Sequence, residues 1–308
     1  MSLPFDTGHA MQVAFLVIAH NAPKQLQRLL ARLAHPDHHV FVHIDAKSQI
    51  EDFAASLALP HVITSRIRLP VYWGSFRACQ ATLELIKQAL AREPRIERFV
   101  LLSGVDHPLD TAANINRFFA DNRDVEFIEL DPMPSESKAL SRLEHLYVSG
   151  AHPPWIRGLA KLRRALRLGP IKRDYRKGLK GLAPIGGAQW WALTREAASY
   201  IDRFADENPD FVRFHDGVLI PDESFFSTIL GNSDFASRVT DCVTYTDWSA
   251  GGSHPALIGK RHLEFFKAVS GPCARAEGLR PLLFARKFTD EDAAVCAEID
   301  ALVDGRGA

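Results

Sequence analysis

From Met11 onward, short apolar runs alternate with stretches of helical periodicity, the pattern of an α/β sheet covered on both faces. QVAFLVIAH predicts a central strand, and Asn21 with Pro23 opens a helix whose leucines at 26, 29, 30 and 33 share one side. Residues 40–44 predict a second strand that ends at Asp45. A helix over 50–59, a short strand over 62–65 and a long helix over 75–91 follow, the last entered through VYWGSF. ERFVLLSG predicts another central strand, 111–122 a helix and 125–130 a strand. Between 131 and 184 the alternation fails. It resumes with GGAQWWAL as a strand and a helix from Thr194. A helix opening at Pro221, a strand over 243–246, a turn at GGSHP, a strand in RPLLFARKF and a last helix capped by Thr289 complete the series. There is no internal repeat and no low-complexity linker, so 11–308 is expected to form one domain, preceded by an unstructured extension over 1–10.

Residues 221–230, PDESFFSTIL, hold the first candidate for chemistry. Phe225, Phe226, Ile229 and Leu230 fall at helical spacing and should anchor one face in a core. Pro221 and Asp222 stand where a helix start wants a fixed φ and a capping oxygen, which puts Glu223 in the first turn. A carboxylate held there and facing a cleft can act as a general base. The same position also suits an acid that only complements the helix dipole.

Composition narrows the choices. With 308 residues, 46% hydrophobic and 24% charged, the chain can build one large α/β domain or two small ones. Its 37 cations balance 37 acids, so no global charge favours nucleic acid. Cys79, Cys242, Cys273 and Cys296 are scattered without a CxxC pair and read as buried thiols of a reducing compartment. No apolar run reaches membrane-spanning length and no basic-then-apolar leader is present, so a cytoplasmic location is expected. The charge is nevertheless segregated. Residues 155–180 carry ten cations and one acid, Asp174, and Trp155, Leu159, Leu162 and Leu166 recur within them at helical spacing. Such a helix either lies in a membrane interface or packs its leucines on the sheet.

Ligands of an open α/β sheet gather beyond the carboxyl ends of its strands. His20 and Asn21 follow the first strand there, Asp45 the second, and Ser103 to His107, with Asp106, the fourth. Asp45 suits a uracil imide or ribose hydroxyl as well as it suits a turn. No GxGxxG follows the first strand, and there is no Walker loop or GxSxG elbow, which excludes the familiar dehydrogenase, NTPase and hydrolase signatures. His35, His38, His39 and His43 read as loop histidines, because His39 and His43 are too far apart along a strand for one ion. The acid-x-acid triplet Asp290-Glu291-Asp292 reads as the first turn of the last helix. Arg286 and Lys287, between Phe284 and Phe288, can neutralise a diphosphate without a metal.

AFLVIAHN, FVHIDAKS, VYWGSF, FVLLSGVDHPL, GGAQWWALTRE, PDESFFSTILGNS, TYTDW and LFARKF, in this order, resemble the core-2/I-branching β-1,6-N-acetylglucosaminyltransferase family, which includes the peptide O-xylosyltransferases. The resemblance covers most of the chain. It implies a GT-A-type, Rossmann-like nucleotide-sugar-binding domain with a mixed central sheet flanked by helices. It further implies an inverting, metal-independent transfer from a UDP-sugar. By position, Glu223 matches the catalytic base, Asp45 the uridine-side acid, and Arg286 with Lys287 the diphosphate pair. His20 and Asn21 fall on the donor side. Trp73, Gly74, Asp106, Gln189, Trp190 and Asp222 fall in the donor and acceptor cleft, with 131–184 as a basic acceptor-side insertion. The animal members are disulfide-rich and membrane-anchored, whereas this chain resembles a bacterial cytoplasmic relative. Gly187-Ala188 stands where members often have GS, and FARKF is closest to the xylosyltransferase branch.

The expected function is therefore transfer of xylose or N-acetylglucosamine from a UDP-sugar to a glycan or lipid-linked saccharide in bacterial surface polysaccharide or lipopolysaccharide synthesis. No cofactor or metal is expected. Peripheral contact with an anionic inner membrane through 155–180 is expected, and nucleic acid is not. The competing expectation is a non-catalytic module that docks on anionic glycan or membrane.

Overall fold

Gln12–Ala19, an almost unbroken apolar run, forms β1, and nearly every side chain along it is buried. The computed structural model describes residues 11–252, 254–269 and 282–305, so the expectations for 1–10 and for Cys273 lie outside the described residues. After β1 come α1 (Pro23–Arg32), β2 (His38–Ile44), a 3-10 turn (Ile50–Phe53) running into α2 (Ala54–Leu57), β3 (Val62–Thr64) and α3 (Arg77–Arg92). β4 (Ile96–Ser103), β5 (Asp106–Pro108), α4 (Ala112–Asp121) and β6 (Glu126–Phe127) complete the regular first half. The less regular stretch contains β7 (Asp131–Pro132), α5 (Ser141–Glu144), α6 (Pro154–Ala165) and α7 (Tyr175–Gly178), and is closed by β8 (Ile185–Gly186). β9 (Ala192–Thr194), α8 (Arg195–Glu207), α9 (Pro209–Asp216), a 3-10 turn (Pro221–Glu223) and α10 (Phe225–Gly231) follow. β10 (Val239–Thr240), β11 (Thr244–Thr246), α11 (Leu263–Val269), β12 (Phe284–Arg286) and a C-terminal helix (Ala293–Asp304) end the described chain.

Seven strands form the main sheet in the order β10-β6-β9-β4-β1-β2-β3. β1 pairs in parallel with β2 and β4, while β9 runs antiparallel to β4 and β6. The central sheet is therefore mixed and flanked by helices, the architecture expected of a GT-A-type domain. Alternate β1 residues serve two cores: Ala14 and Leu16 face α3, α8 and α10, whereas Val13, Phe15 and Val17 face α1 and α4. This side-to-side period of two is why the strand had to be apolar throughout. Helix entry follows local chemistry. Thr111 Oγ1 accepts from the Asn114 N–H, Thr194 Oγ1 accepts from the Ala197 N–H, and Pro23 occupies the first turn of α1.

A second sheet, β11-β12-β5, lies between the main sheet and the C-terminal helix. It pairs Arg286 directly opposite Asp106. Residues 106–108 were expected as a loop. They form a strand because their partner, β12, arrives from nearly 180 residues downstream.

Several other expectations are corrected. The PDESFF stretch is not one helix. Ile220 takes a left-handed φ of 55°, residues 221–223 make a separate 3-10 turn, and Ser224 breaks the path before α10 begins. His38, His39 and His43 lie within β2 rather than in a loop. Burial pulls His38 and His43 down to about 4, which keeps both imidazoles neutral, and His43 Nε2 accepts from the Leu69 N–H at 2.9 Å. The strand expected over 125–130 is paired only at Glu126–Phe127. Thr289 does not cap the last helix. Its N–H and hydroxyl donate to Asp292 Oδ2, and Ala293 is the first helical residue. Asp290, expected in that helix's first turn, instead accepts from the Gln25 N–H of α1 at 2.8 Å, so its carboxylate caps a helix from the opposite end of the chain.

Candidate active site

The sheet order places a topological switch point between β1 and β4, since the chain leaves β1 towards β2 and β3 and later returns to its other side. Their carboxyl ends carry His20-Asn21 and Ser103–Asp106. His20 and Asn21 are exposed on the rim. Partial burial lowers the His20 pKa; Asp45 opposes this, while Lys47, Arg286 and Lys287 reinforce it, so the ends of β1, β2 and β12 share one electrostatic environment. At the end of β2, Asp45 is buried. Its Oδ1 accepts from the Lys47 N–H at 2.8 Å, and its Oδ2 lies 3.0 Å from Lys47 Nζ. Asp45 thus makes both a turn and an ion pair.

Asp106 is fully buried and accepts from the Ser103 N–H at 2.9 Å and from the Ser103 hydroxyl. Burial raises its pKa, against the pull of Arg286 and Ser103. Arg286 Nε lies 3.4 Å from Asp106 Oδ1 without a hydrogen bond, and the guanidinium stacks 4.1 Å from the centre of the Trp190 ring. Burial lowers the Arg286 pKa, while Asp106 and Asp222 raise it. Its Nε–H is buried towards Asp106, while the side chain as a whole keeps 16% of its surface exposed, enough for the guanidinium to meet an anionic ligand. Lys287 is joined to it through a cis peptide, is half-buried, and makes no ion pair among the described residues.

Glu223 sits at the end of the turn that Ile220 opens. Two backbone bonds fix this turn: the Ile220 N–H donates to Gly74 O at 3.2 Å, and the Gly187 N–H donates to Glu223 O at 2.9 Å. Gly74 has a φ of +66°, which suits glycine. At Gly187 a Cβ would stand 2.1 Å from Glu129 O, so the close approach that positions Glu223 excludes any other residue. Alanine follows at 188, so the change from the family's usual GS leaves this contact intact. Trp73 stands beside Gly74 with 56% of its surface exposed, and Gln189 is half-buried.

Lys138 Nζ and Arg142 Nη1 each donate to Glu223 Oε2 at 2.7 Å, a pair that sequence patterning missed. Both come from the irregular insertion, where no periodicity marks them; their four-residue spacing is the one faint signal. They hold one carboxylate oxygen, and Oε1 accepts no hydrogen bond among the described residues. Asp222, half-buried beside them, is pushed up to about 6, first by burial and then by Glu223, with Lys138 and Arg142 opposing. The structure therefore brings together Glu223, Asp222, Gly74 and Gly187, and, through the field between Asp222 and Arg286, joins them to Asp106 and Trp190.

Among the described residues, no group of three or more His, Cys, Asp or Glu side chains is placed to hold a metal. Asp290 and Asp292 are committed to α1 and Thr289. A recess of about 270 Å³ on the insertion, lined by Lys172, Arg173 and Arg176, contains none of the candidate residues. Cys79 and Cys296 are buried thiols whose pKa values burial raises, Cys296 to about 11.

The strand ends thus carry a guanidinium stacked on Trp190, and the Glu223 turn carries a carboxylate tethered by two cations. The family model described as "Branch: Core-2/I-Branching enzyme" matches residues 13–269, most of the chain, and the chain belongs to that family of glycosyltransferases. Among curated proteins it is similar to a xylosyltransferase of Ciona intestinalis, 24% identical over 304 residues, covering 94% of this chain and 34% of that protein. It is also similar to xylosyltransferase 1 of Canis lupus familiaris, at 25% identity over 80% of this chain and 25% of the relative. Xylosyltransferase 2 of Mus musculus is 27% identical, over 79% and 27% respectively. The chain thus spans about a third or less of the length of these relatives. Among solved structures, core-mannan synthase A of Aspergillus fumigatus in a manganese and GDP form aligns with a TM-score of 0.41 at 9% identity, covering 77% of this chain and 74% of that one. Apo mouse xyloside xylosyltransferase 1 aligns with a TM-score of 0.35 at 11% identity, covering 88% and 97%. No helix among the described residues is long and apolar enough to cross a membrane.

Proposed function

We propose that this chain transfers xylose or N-acetylglucosamine from a UDP-sugar to a hydroxyl of a glycan acceptor, with inversion. The observation that carries this is Glu223. Its backbone is tied on both sides, one carboxylate oxygen is held by Lys138 and Arg142, and the other has no donor among the described residues. Oε1 takes the acceptor hydroxyl proton as the oxygen forms its bond to the anomeric carbon. The bond from that carbon to the β-phosphate oxygen breaks on the opposite face, and UDP departs with the electron pair. Arg286, stacked on Trp190, and its neighbour Lys287 neutralise the leaving diphosphate in place of a divalent ion. Asp45, His20 and Asn21 line the uridine side, Trp73 and Gln189 the sugar and acceptor side, and the fully buried Asp106 backs Arg286.

The acceptor we favour is a saccharide of bacterial surface polysaccharide or lipopolysaccharide assembly, glycosylated on the cytoplasmic side. The sparse cysteines, of which Cys79, Cys242 and Cys296 are buried thiols, support that side over an oxidising one. The test is Glu223→Gln, assayed with UDP-xylose and UDP-N-acetylglucosamine in the presence and absence of EDTA. Turnover should fall by about a hundredfold or more while UDP binding persists, the usual range for a lost general base. Wild-type turnover in the variant overturns Glu223 as the base, and loss of wild-type activity in EDTA overturns the metal-free leaving group.

A further inference from the structure

We propose that α6 and the loop that follows it form a docking surface for an anionic lipid bilayer. No residue of α6 is buried. Ile156, Ala160 and Arg163 are the half-buried side and face the fold, and Arg163 Nε bends back to donate to Gly169 O at 2.9 Å. The stripe of Trp155, Leu159, Leu162 and Leu166 points away from it, each residue 56–67% exposed. The sequence alternative, leucines packed on the sheet, is thereby overturned. Leu168 and Ile171 extend the stripe past the helix end. Of the eleven large apolar side chains exposed among the described residues, six fall within 155–171. Scattered exposed leucines need no explanation, but an aligned stripe with a tryptophan at one end and cations around it has the form of an interfacial helix.

Charge selects the occupant. The 155–180 segment has ten cations and one acid, leaving 27 cations against 36 acids in the rest of the chain. A second copy docking through the same face would bring two such cationic segments together, which like-charge repulsion opposes. Single-stranded nucleic acid wants several stacking aromatics, and this surface offers Trp155 and Tyr175. A leaflet rich in anionic phospholipid takes the leucines below its headgroups and meets Lys161, Arg167 and Lys172 at their level. The same insertion supplies Lys138 and Arg142 to Glu223, so a bilayer bound there lies on the segment that borders the candidate base.

The experiment is co-sedimentation of the full chain with vesicles of phosphatidylglycerol mixed into phosphatidylcholine, and of phosphatidylcholine alone, at low and high salt. Two variants accompany it: Leu159, Leu162 and Leu166 changed together to Ser, and Lys161, Arg164 and Arg167 changed together to Glu. Wild type should partition at least tenfold better onto the anionic vesicles, less so at high salt. Each variant should lose at least tenfold of that partitioning at low salt while keeping its thermal unfolding midpoint and its affinity for UDP. Should a variant fail to fold, the wild-type contrast between the two lipid mixtures still decides. Equal sedimentation with both vesicle types, sedimentation with neither, or wild-type behaviour in both variants overturns the proposal. So does a wild-type dimer that the serine variant splits and vesicles do not bind, since a second copy then covers the stripe. Vesicle binding is read without donor or acceptor, so its failure leaves the transfer reaction standing.

Discussion

The carboxyl edge of the main sheet and the 131–184 insertion meet at Glu223, and they hold their functional groups in different ways. On the sheet side, each group is fixed by the strand that carries it. In the second sheet Arg286 sits opposite Asp106 by register, in the main sheet Asp45 directly follows β2, and Trp190 stands two residues before β9. On the insertion side, short helices and single bridges such as His145 to Lys172 do the holding, and one face of α6 remains uncovered. In the proposed reaction the sheet side serves as the donor wall, whereas the insertion contributes cations that reach in from a segment of short helices. A donor common to many reactions suits a rigid wall, and acceptor choice suits an element free to vary.

The contrast is most easily broken at the point where the regions touch. Gly187→Ala should destabilise the protein by about 3 kcal/mol, because the Glu129 backbone carbonyl, which would stand 2.1 Å from the new methyl, cannot turn aside as the Ser227 hydroxyl can. Thermal unfolding measures the loss, and an unchanged midpoint would mean that this contact is looser than the structure has it. Next in size is Arg286→Ala, on the donor wall. It should weaken UDP binding by about 1–3 kcal/mol by calorimetry, with little change in acceptor KM. Lys138→Met, on the opposite side, should leave UDP affinity alone and cut turnover by about tenfold, since Arg142 still holds Oε2. If both substitutions changed UDP affinity equally, the division into donor wall and acceptor insertion would fail.

The smallest effect concerns pH. Asp222 is raised to about 6 in the folded chain, against about 3.9 unfolded. The folded state therefore binds more protons between those values, so the contribution of Asp222 to stability is full below about pH 4 and lost as pH rises through 6. Asp222→Asn should remove that slope, worth about 1 kcal/mol after allowance for water in the cleft. Denaturant midpoints at pH 4.5 and 7 for both proteins give the comparison.

The same division explains what could be read from sequence. β1, β2, β4, α1, α3 and α8 were legible because each carries its own period and buries it where it stands. The family motifs marked Glu223, Arg286 and Asp106; the structure pairs Arg286 with Asp106 across β12 and β5 and holds Glu223 on Lys138 and Arg142. The break at Ser224 was not legible, because the spacing of Phe225, Phe226, Ile229 and Leu230 is blind to the left-handed turn at Ile220. β5 was missed because three residues without alternation become a strand only when β12 pairs with them. Lys138 and Arg142 were missed for a related reason: their partner lies more than 80 residues away, and their four-residue spacing alone does not point to it.

The attachment of the C-terminal helix has a consequence for synthesis. Asp290 caps α1, Arg28 donates to Thr289 O at 2.7 Å, and Arg32 pairs with Asp300 and Asp304, so the second helix-forming stretch of the described chain's ends closes on the first. A ribosome delivers β1, β4 and the Glu223 turn well before this clasp, and Arg286 emerges about sixty residues after Glu223. During that interval the nascent chain carries its carboxylate without the guanidinium that shares the cleft. Arg286 and Asp290 lie four positions apart, so the guanidinium and the clasp on α1 are delivered together.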